Sequence, residues 1–139
     1  MTKTTTPEET IRVGQEIGKM LTPNTVVALR GDLGAGKTTL VKGIARGLNI
    51  EEEITSPTFV IISEYPGRLP LYHMDLYRIS GSDEFLDLGA EELFTGGGVT
   101  VIEWSERIRS LLPGDCIYIT IAFDSDPARR VISVEGIDL

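Results

Sequence analysis

Residues 31–38 have the sequence GDLGAGKT, in which three glycines precede a lysine and a hydroxyl-bearing residue. Glycine tolerates backbone conformations that turn successive N–H groups toward one point, and such groups can surround a phosphate. The Lys37 ammonium would add a point charge at the β- and γ-phosphates, and the Thr38 hydroxyl can ligate Mg²⁺. The spacing therefore predicts a P-loop that binds a nucleoside triphosphate with Mg²⁺. The predicted nucleotide contacts are Gly34, Ala35, Gly36, Lys37, Thr38 and Thr39.

Two carboxylates follow predicted strands and can complete a magnesium site. Asp75 comes directly after residues 71–74, and Glu103 comes directly after residues 99–102. Mg²⁺ prefers oxygen ligands, and beside phosphates it is usually bound by one or two carboxylates. Glu103 could bind the ion directly or through water, or orient the attacking water. Asp75 could do the same or could order its loop, and the pattern alone does not decide between the two acids.

Three other residues have side chains suited to recognition or to structure. His73 is the only histidine, and a lone histidine is more often a packed or hydrogen-bonded structural residue than a catalytic one. Trp104 follows Glu103 and could be either a core aromatic or an exposed contact residue. Thr58 belongs to a hydroxyl-rich loop, residues 55–58, that could sense a γ-phosphate as a switch loop does or simply cap a turn.

The elements around the glycine-rich loop occur in the order that phosphate binding requires. The β-branched run at residues 25–29 predicts a buried strand before the loop, and residues 40–48 carry apolar positions at helical spacing after it. That helix would aim its N-terminal dipole at the bound phosphates. Residues 59–65 and 69–74 predict an antiparallel hairpin through a Pro-Gly turn, and residues 99–102 predict a further strand.

The remaining segments complete an α/β pattern. Thr6, Pro7 and Glu9 have the types and spacing of a capped helix start. Further patterns predict helices over residues of about 82–94 and 105–112, and strands over residues 116–123 and 131–134. Strands alternate with helices early and pair locally later. This order predicts one domain over residues 1–139, with a P-loop NTPase-like three-layer α/β sandwich and a mixed central sheet.

Composition limits the classes of partner. The net charge is −8, so the chain as a whole repels a polyanion, and autonomous binding of nucleic acid is not expected. An apolar run near 18 residues and an apolar signal core are both absent from the sequence, which predicts a cytoplasmic protein without a membrane span. Cys116 is the only cysteine, and it excludes an internal disulfide and a cysteine-based zinc site.

Four segments together resemble the TsaE (YjeE) family, the bacterial ATPases of tRNA threonylcarbamoyladenosine biosynthesis. They are the P-loop, Ser-Pro-Thr-Phe at residues 56–59, His-Met-Asp-Leu-Tyr-Arg at residues 73–78 and Glu-Trp-Ser-Glu at residues 103–106. The resemblance covers about residues 6–135. The P-loop is common to many families, whereas the last two segments in this order are far more specific.

The resemblance implies an ATP- and Mg²⁺-dependent enzyme that hydrolyses ATP. Because a chain this small is not expected to assemble a complete water-positioning shell, we expect hydrolysis to be slow alone and stimulated by a partner. The resemblance implies a function in forming the threonylcarbamoyl group on adenosine 37 of tRNAs that read codons beginning with A, through binding to a TsaB–TsaD complex. Contact with tRNA would be indirect, through those partners. The residue roles that the resemblance implies are catalytic Lys37, Asp75 and Glu103, metal ligands Thr38 and Glu103, an adenine contact at Arg129, and activity or switch roles for Trp104 and Thr58.

Two other functions begin from the same loop. A small-molecule kinase would need an acceptor pocket and usually an arginine-bearing lid, and the arginines of this chain are scattered. A non-catalytic switch would use ATP only to set its affinity for another protein. The sequence contains no Asn-Lys-x-Asp motif of the kind that reads guanine, which favours ATP over GTP.

Overall fold

A computed structural model describes residues 1–32, 34–54 and 62–137, and these form seven strands, three α-helices and two 3₁₀ helices. The strands are β1 (Thr2–Thr4), β2 (Thr25–Gly31), β3 (Ile62–Tyr65), β4 (Leu71–Asp75), β5 (Val99–Glu103), β6 (Ile117–Phe123) and β7 (Arg130–Glu135). The helices are α1 (Pro7–Met20), α2 (Lys37–Gly47) and α3 (Ser82–Asp87), with 3₁₀ helices at Ala90–Thr95 and Ser105–Leu111.

All seven strands form one sheet in the order β1-β7-β6-β2-β5-β4-β3. The central strands β6, β2, β5 and β4 are parallel, while β7 and β3 pair antiparallel with β6 and β4 respectively. The predicted mixed sheet is confirmed, as is the predicted hairpin, which the structure describes from residue 62 onward. In register, Glu103 lies opposite Leu29 on one side and Asp75 on the other. The carboxyl ends of β2, β5 and β4 therefore meet at one edge of the sheet.

The sheet separates two apolar clusters. Helices α1 and α2 cover one face, where Leu29, Val101 and Ile44 are fully buried. Helix α3 and the 3₁₀ helices cover the other face, around Phe85 and Ile102. This arrangement is the predicted three-layer sandwich, and burial on both faces explains why the central strands are rich in β-branched residues.

Helices α1 and α2 approach each other closely through glycines. A Cβ atom on Gly14 would lie 2.5 Å from the Leu40 carbonyl oxygen, and one on Gly43 would overlap the Ile11 carbonyl. Only residues without a side chain permit this separation, so the glycine positions within both helices are explained by packing. The close contact fixes the position of α2, whose N-terminus follows the glycine-rich loop.

The start of α1 has the predicted cap. The Thr6 hydroxyl accepts a hydrogen bond from the Glu9 N–H at 3.1 Å. The Glu9 carboxylate accepts from the Thr5 N–H at 2.7 Å, one residue earlier than the usual capping box. This bond lowers the pKa of Glu9 from its ordinary value. It also fixes Thr5 between β1 and α1.

Several predicted boundaries differ from the structure. The helix expected over residues 82–94 divides at Gly89, whose φ of +70° ends α3 before a 3₁₀ helix begins. The helix expected over residues 105–112 is 3₁₀ and is interrupted at Ile108. Strand β1 was not predicted, because three residues are too few to show an alternating pattern. Among the described residues, no helix combines the length and apolarity needed to cross a membrane.

Candidate nucleotide-binding site

The loop between β2 and α2 has the backbone that its glycines predict. Gly34 and Gly36 have φ angles of +78° and +106°, in the left-handed region that residues with a Cβ adopt only with strain. The Ala35 N–H donates to the Asp32 carbonyl at 3.0 Å, which closes the turn between them. Leu33 lies outside the described residues. The loop thus leads directly from the end of a central parallel strand into a helix.

The N-terminus of α2 faces this loop. Its N-cap residue is Gly36, which has no side chain to accept hydrogen bonds from the first helical N–H groups. Those groups and the helix dipole favour an anion at this point. Lys37, Thr38 and Thr39 form the first turn, so the predicted phosphate ligands are adjacent in space as well as in sequence.

Lys37 and Glu103 lie together at the edge of the sheet. The Lys37 Nζ atom is 3.9 Å from the Glu103 Oε1 atom, and the two side chains are 13% and 7% exposed. Glu103 is the last residue of β5, so the strand extends one residue further than predicted and turns this carboxylate toward α2. The distance is long compared with about 2.7–2.9 Å for a charge-assisted hydrogen bond.

The second Glu103 oxygen is bound by the chain's only histidine. The distance between His73 Nε2 and Glu103 Oε2 is 2.7 Å, and the imidazole is completely buried. Within the described residues, the His73 Nδ1 atom is buried without a hydrogen-bond partner. His73 is therefore hydrogen-bonded to one of the predicted site residues, a link that its position in the sequence did not indicate.

Asp75 lies opposite Glu103 in the sheet but bonds to its own loop. Its Oδ1 atom accepts a hydrogen bond from the Tyr77 N–H at 3.0 Å. This is an Asx turn, in which a side chain substitutes for a backbone acceptor. Of the alternatives that the sequence left open for Asp75, the structure contains the loop-ordering bond. A role at the metal stays a prediction for both acids.

Trp104 lies between charged and aromatic groups at the same edge. The Lys37 Nζ atom is 5.4 Å from its ring centroid, the Arg107 guanidinium is 5.6 Å away, and the Tyr77 ring is 5.0 Å away. Cations at these distances are attracted to the ring face. The residue is half-buried and has a φ of +60°, an uncommon backbone conformation for a tryptophan. It is thus neither a pure core aromatic nor a fully exposed one.

A cavity of about 250 Å³ opens beside the loop. Residues of the loop form one wall, and the N-terminal segment and the start of β7 form the others. Its lining is Thr5, Thr6, Pro7, Thr10, Gly34, Ala35, Gly36, Thr39, Ala128 and Arg130. The cavity adjoins the N-terminus of α2, and the polar residues of its lining are four threonines and Arg130.

Arg130 connects this cavity to the loop. Its Nε atom donates to the Ala35 carbonyl at 3.1 Å, and its guanidinium lies 4.2 Å from the centroid of the Phe123 ring. Arg129, the predicted adenine contact, is instead half-exposed and lies 3.8 Å from the Asp126 carboxylate. It is not among the cavity-lining residues. Thr58, the predicted switch residue, lies outside the described residues.

A magnesium ion at this edge would have few protein ligands. Over the described parts of the chain, there is no group of three or more His, Cys, Asp or Glu side chains placed to bind a metal. A carboxylate with one oxygen toward Lys37, near the helix that carries Thr38 in its first turn, fits an ion that takes its other ligands from phosphate and water.

The sequence analysis did not single out Arg130 or the N-terminal threonines, which line this cavity. Arg129 lies in the turn before β7, whereas Arg130 is the first residue of that strand. The pairing of Arg130 with Phe123 decides which guanidinium faces the loop, and only the structure gives that register. The N-terminal residues reach the site because β1 pairs with β7.

Comparison with known proteins agrees with the resemblance that the motifs show. The model of the family described as threonylcarbamoyl adenosine biosynthesis protein TsaE matches residues 4–132. A protein of Treponema pallidum (strain Nichols) with the name tRNA threonylcarbamoyladenosine biosynthesis protein TsaE is 48% identical over 124 residues, covering 89% of this chain and 92% of its own. One of the same name from Bacillus subtilis (strain 168) is 46% identical over 130 residues, covering 93% and 81%.

A solved structure is similar over nearly the whole chain. The crystal structure of Bacillus subtilis YdiB superimposes with a TM-score of 0.77 at 42% sequence identity, covering 96% of this chain and 82% of that one. The family model, these relatives and the shared fold lead to one conclusion: the chain belongs to the TsaE family of threonylcarbamoyl adenosine biosynthesis proteins.

Proposed function

We propose that this protein is a Mg²⁺-dependent ATPase that supports formation of threonylcarbamoyladenosine in tRNA. The observation that carries the proposal is the position of the Lys37 Nζ atom, 3.9 Å from the Glu103 carboxylate, at the point where the glycine-rich loop enters α2. Membership of the family supports the assignment to this pathway, and the geometry of the site supports ATP hydrolysis as the chemistry. A cation, a carboxylate and a helix N-terminus converge where the terminal phosphates of ATP would lie.

The chain's own groups account for binding and charge stabilisation. The loop N–H groups and Lys37 would surround the β- and γ-phosphates. In hydrolysis a water oxygen bonds to the γ-phosphorus while the bond to the β,γ-bridging oxygen breaks, which yields ADP and phosphate. Negative charge then spreads over the phosphoryl oxygens, and positive groups fixed in advance stabilise it most effectively. The Lys37 ammonium lies against the Trp104 ring and faces the Glu103 carboxylate at 3.9 Å, so it is placed before ATP arrives.

Magnesium would be bound by the Thr38 hydroxyl and by Glu103, directly or through water. When bound, the ion would neutralise charge on the phosphate oxygens and so assist departure of ADP. Asp75 would then order the Tyr77 loop next to this edge, as its bond to the Tyr77 N–H supports.

The cavity beside the loop is suited to the nucleoside. It adjoins the phosphate-binding backbone at Gly34 and is limited by Thr10 on one side and Arg130 on the other. Threonine hydroxyls can bond to ribose or to the polar edge of a base, and a guanidinium can stack on a base. We therefore place the adenosine between the N-terminal segment and the start of β7.

A protein partner fits the surface better than RNA does. The net charge of −8 disfavours direct contact with tRNA, so we propose that a TsaB–TsaD-type pair binds this chain and contacts the tRNA. Tyr77 is 60% exposed directly beside Trp104 at the edge of the site, and an exposed aromatic residue is a frequent contact in protein interfaces.

A matched pair of lysine substitutions tests the site. Lys37→Ala should reduce ATP hydrolysis to background because the γ-phosphate loses its fixed cation, while Lys42→Ala, which removes the same charge from the same helix, should retain it. Release of phosphate measures turnover, and thermal unfolding checks that both variants fold. Parental turnover in Lys37→Ala would refute the assignment. A phosphorylated small molecule as product would identify a kinase instead.

A further inference from the structure

We propose that His73 is a positioning residue, which holds the Glu103 carboxylate in a defined orientation and prevents it from pairing directly with Lys37. This inference rests on the proposed function, because it concerns how the same site keeps its cation and its carboxylate available for ATP and Mg²⁺. It assigns a function to the one histidine of the chain, which is buried and hydrogen-bonded to a predicted catalytic residue.

The direction of the hydrogen bond follows from its chemistry. An ionised carboxylate can only accept, so His73 Nε2 carries the hydrogen and donates it to Glu103 Oε2 at 2.7 Å. The short distance and the complete burial of the ring make this a strong bond. The backbone of His73 is fixed within the sheet, because it lies in β4 between Ser63 of β3 and Val101 of β5.

The hydrogen bond from His73 restricts rotation of the Glu103 carboxylate. The last torsion of a glutamate side chain is broad, so an unrestrained carboxylate samples many orientations. Binding of Oε2 by His73 fixes the plane of the group and directs Oε1 toward Lys37 Nζ, 3.9 Å away. Groups behind a metal-binding carboxylate commonly serve this purpose.

A direct ion pair between Lys37 and Glu103 would compete with the binding of ATP and Mg²⁺. A buried lysine and glutamate with free side chains would close to a hydrogen-bonded ion pair of about 2.8 Å. Such a pair would neutralise the cation that ATP requires and occupy the oxygen that Mg²⁺ requires. The hydrogen bond from His73 opposes this closure, because movement of the Glu103 carboxylate toward Lys37 would lengthen the bond to Oε2.

A pair of substitutions separates this positioning effect from simple packing. In His73→Gln, the amide nitrogen can extend to about the place of Nε2 and still donate to Glu103. In His73→Asn, the amide corresponds to Nδ1 and is too short. Calorimetry would measure the affinity for a non-hydrolysable ATP analogue in excess Mg²⁺ and again in EDTA. The ratio of these two affinities is the Mg²⁺ gain.

We expect His73→Gln to keep most of the Mg²⁺ gain. His73→Asn should reduce this gain about tenfold, which is the lower end of the effect of such supporting residues. Glu103→Gln should abolish the gain, and His73→Asn should then add nothing, since His73 acts through Glu103. A parental gain in His73→Asn, or equal losses in the Gln and Asn variants, would overturn the inference. If the parental protein itself shows no Mg²⁺ gain, the proposed function fails instead.

A second measurement needs no variant. Because His73 is the only histidine, spectra of tag-free protein with ¹⁵N-labelled histidine report on this ring alone. We expect a protonated Nε2 whose hydrogen exchanges slowly with solvent and is retained when the analogue and Mg²⁺ bind. An Nε2 without hydrogen in the parental protein would refute the positioning role, even if His73→Asn fails to fold.

Discussion

Glu103 lies between two basic side chains, and its environment shows how residue-scale chemistry depends on placement. One carboxylate oxygen accepts from His73 and the other faces Lys37, while the residue itself ends a central strand. Asp75 occupies the equivalent position on the next strand, yet its carboxylate is turned to the Tyr77 N–H. Two acids at equivalent strand ends thus have different partners, and their substitutions should have different effects.

Removal of the two charges tests this difference. Glu103→Gln should abolish the Mg²⁺-dependent gain in nucleotide affinity, because a neutral amide binds Mg²⁺ weakly. Asp75→Asn should retain that gain, since the amide oxygen can still accept from the Tyr77 N–H. Calorimetric titration with and without Mg²⁺ measures both variants. The reverse result would transfer the ligand role to Asp75.

The two neighbouring arginines offer an equally direct comparison. Arg130→Ala should weaken binding of an ATP analogue by about tenfold, as expected for loss of a charged hydrogen-bonding group at a ligand cavity. Arg129→Ala should have little effect, because that side chain extends toward Asp126. Equilibrium titration measures the affinity of both variants for the analogue, and thermal unfolding checks that both are folded. A larger loss in Arg129→Ala would restore the adenine contact that the sequence resemblance implies.

At the scale of elements, α2 is placed by its contact with α1. The glycines at the crossing allow the two backbones to approach, and the Arg68 guanidinium donates to the Gly18 carbonyl near the end of α1 at 3.0 Å. The crossing joins the two helices to each other, and the Arg68 bond joins α1 to the connection between β3 and β4, so together they help to determine where the N-terminus of α2 lies. The phosphate loop depends on packing that begins more than ten residues before it.

A single added methyl group tests this contact. Gly14→Ala should destabilise the protein by about 1–3 kcal/mol, the usual cost of overpacking, despite the better helix propensity of alanine. The new Cβ would meet the Leu40 carbonyl at 2.5 Å. Gly114→Ala is the matched control, because a Cβ there meets nothing within 4 Å. Chemical denaturation measures both, and equal stabilities would contradict the account of the crossing.

The cap of α1 makes a pH-dependent contribution. The Thr5 N–H holds the pKa of Glu9 below its ordinary value of 4.5, so the carboxylate stabilises the folded state fully above that value. The contribution disappears as the pH falls through the lowered pKa. Glu9→Gln should therefore lower the melting temperature at neutral pH and approach the parental value at strongly acidic pH. A difference that is constant with pH would exclude the carboxylate charge as its source.

At the scale of the whole molecule, charge and size indicate that the protein acts with others. The chain is acidic, its site lies at an open edge of the sheet, and Tyr77 is exposed beside it. In the proposed mechanism, this small chain would supply the phosphate-binding groups but few residues to position the attacking water. A partner that covers this edge would complete the site.

Addition of the partner pair tests this idea. Turnover should rise by about tenfold or more, which corresponds to ~1.4 kcal/mol off the barrier. Lys37→Ala with the same partners is the control and should remain inactive. Equal rates with and without partners would argue against coupling. A non-hydrolysable analogue that sustains repeated tRNA modification as well as ATP does would identify a binding switch.

The sequence by itself determined the phosphate loop, the main strands and the mixed α/β architecture. These depend on local rules, since glycine spacing sets the loop backbone and apolar periodicity sets each element. It also placed Lys37 at the start of a helix and Glu103 at the end of a strand. Its motifs were specific enough to indicate the family that the comparisons then showed.

Only the tertiary structure decided which residues meet. Sheet order brings β4 beside β5, and this pairing joins His73 to Glu103 across 30 positions of sequence. The pairing of β7 with β6 places Arg130 opposite Phe123 and its guanidinium against the loop, whereas Arg129 lies in the turn before the strand. Such contacts depend on register and strand order over the whole sheet, and no local pattern in the chain specifies them.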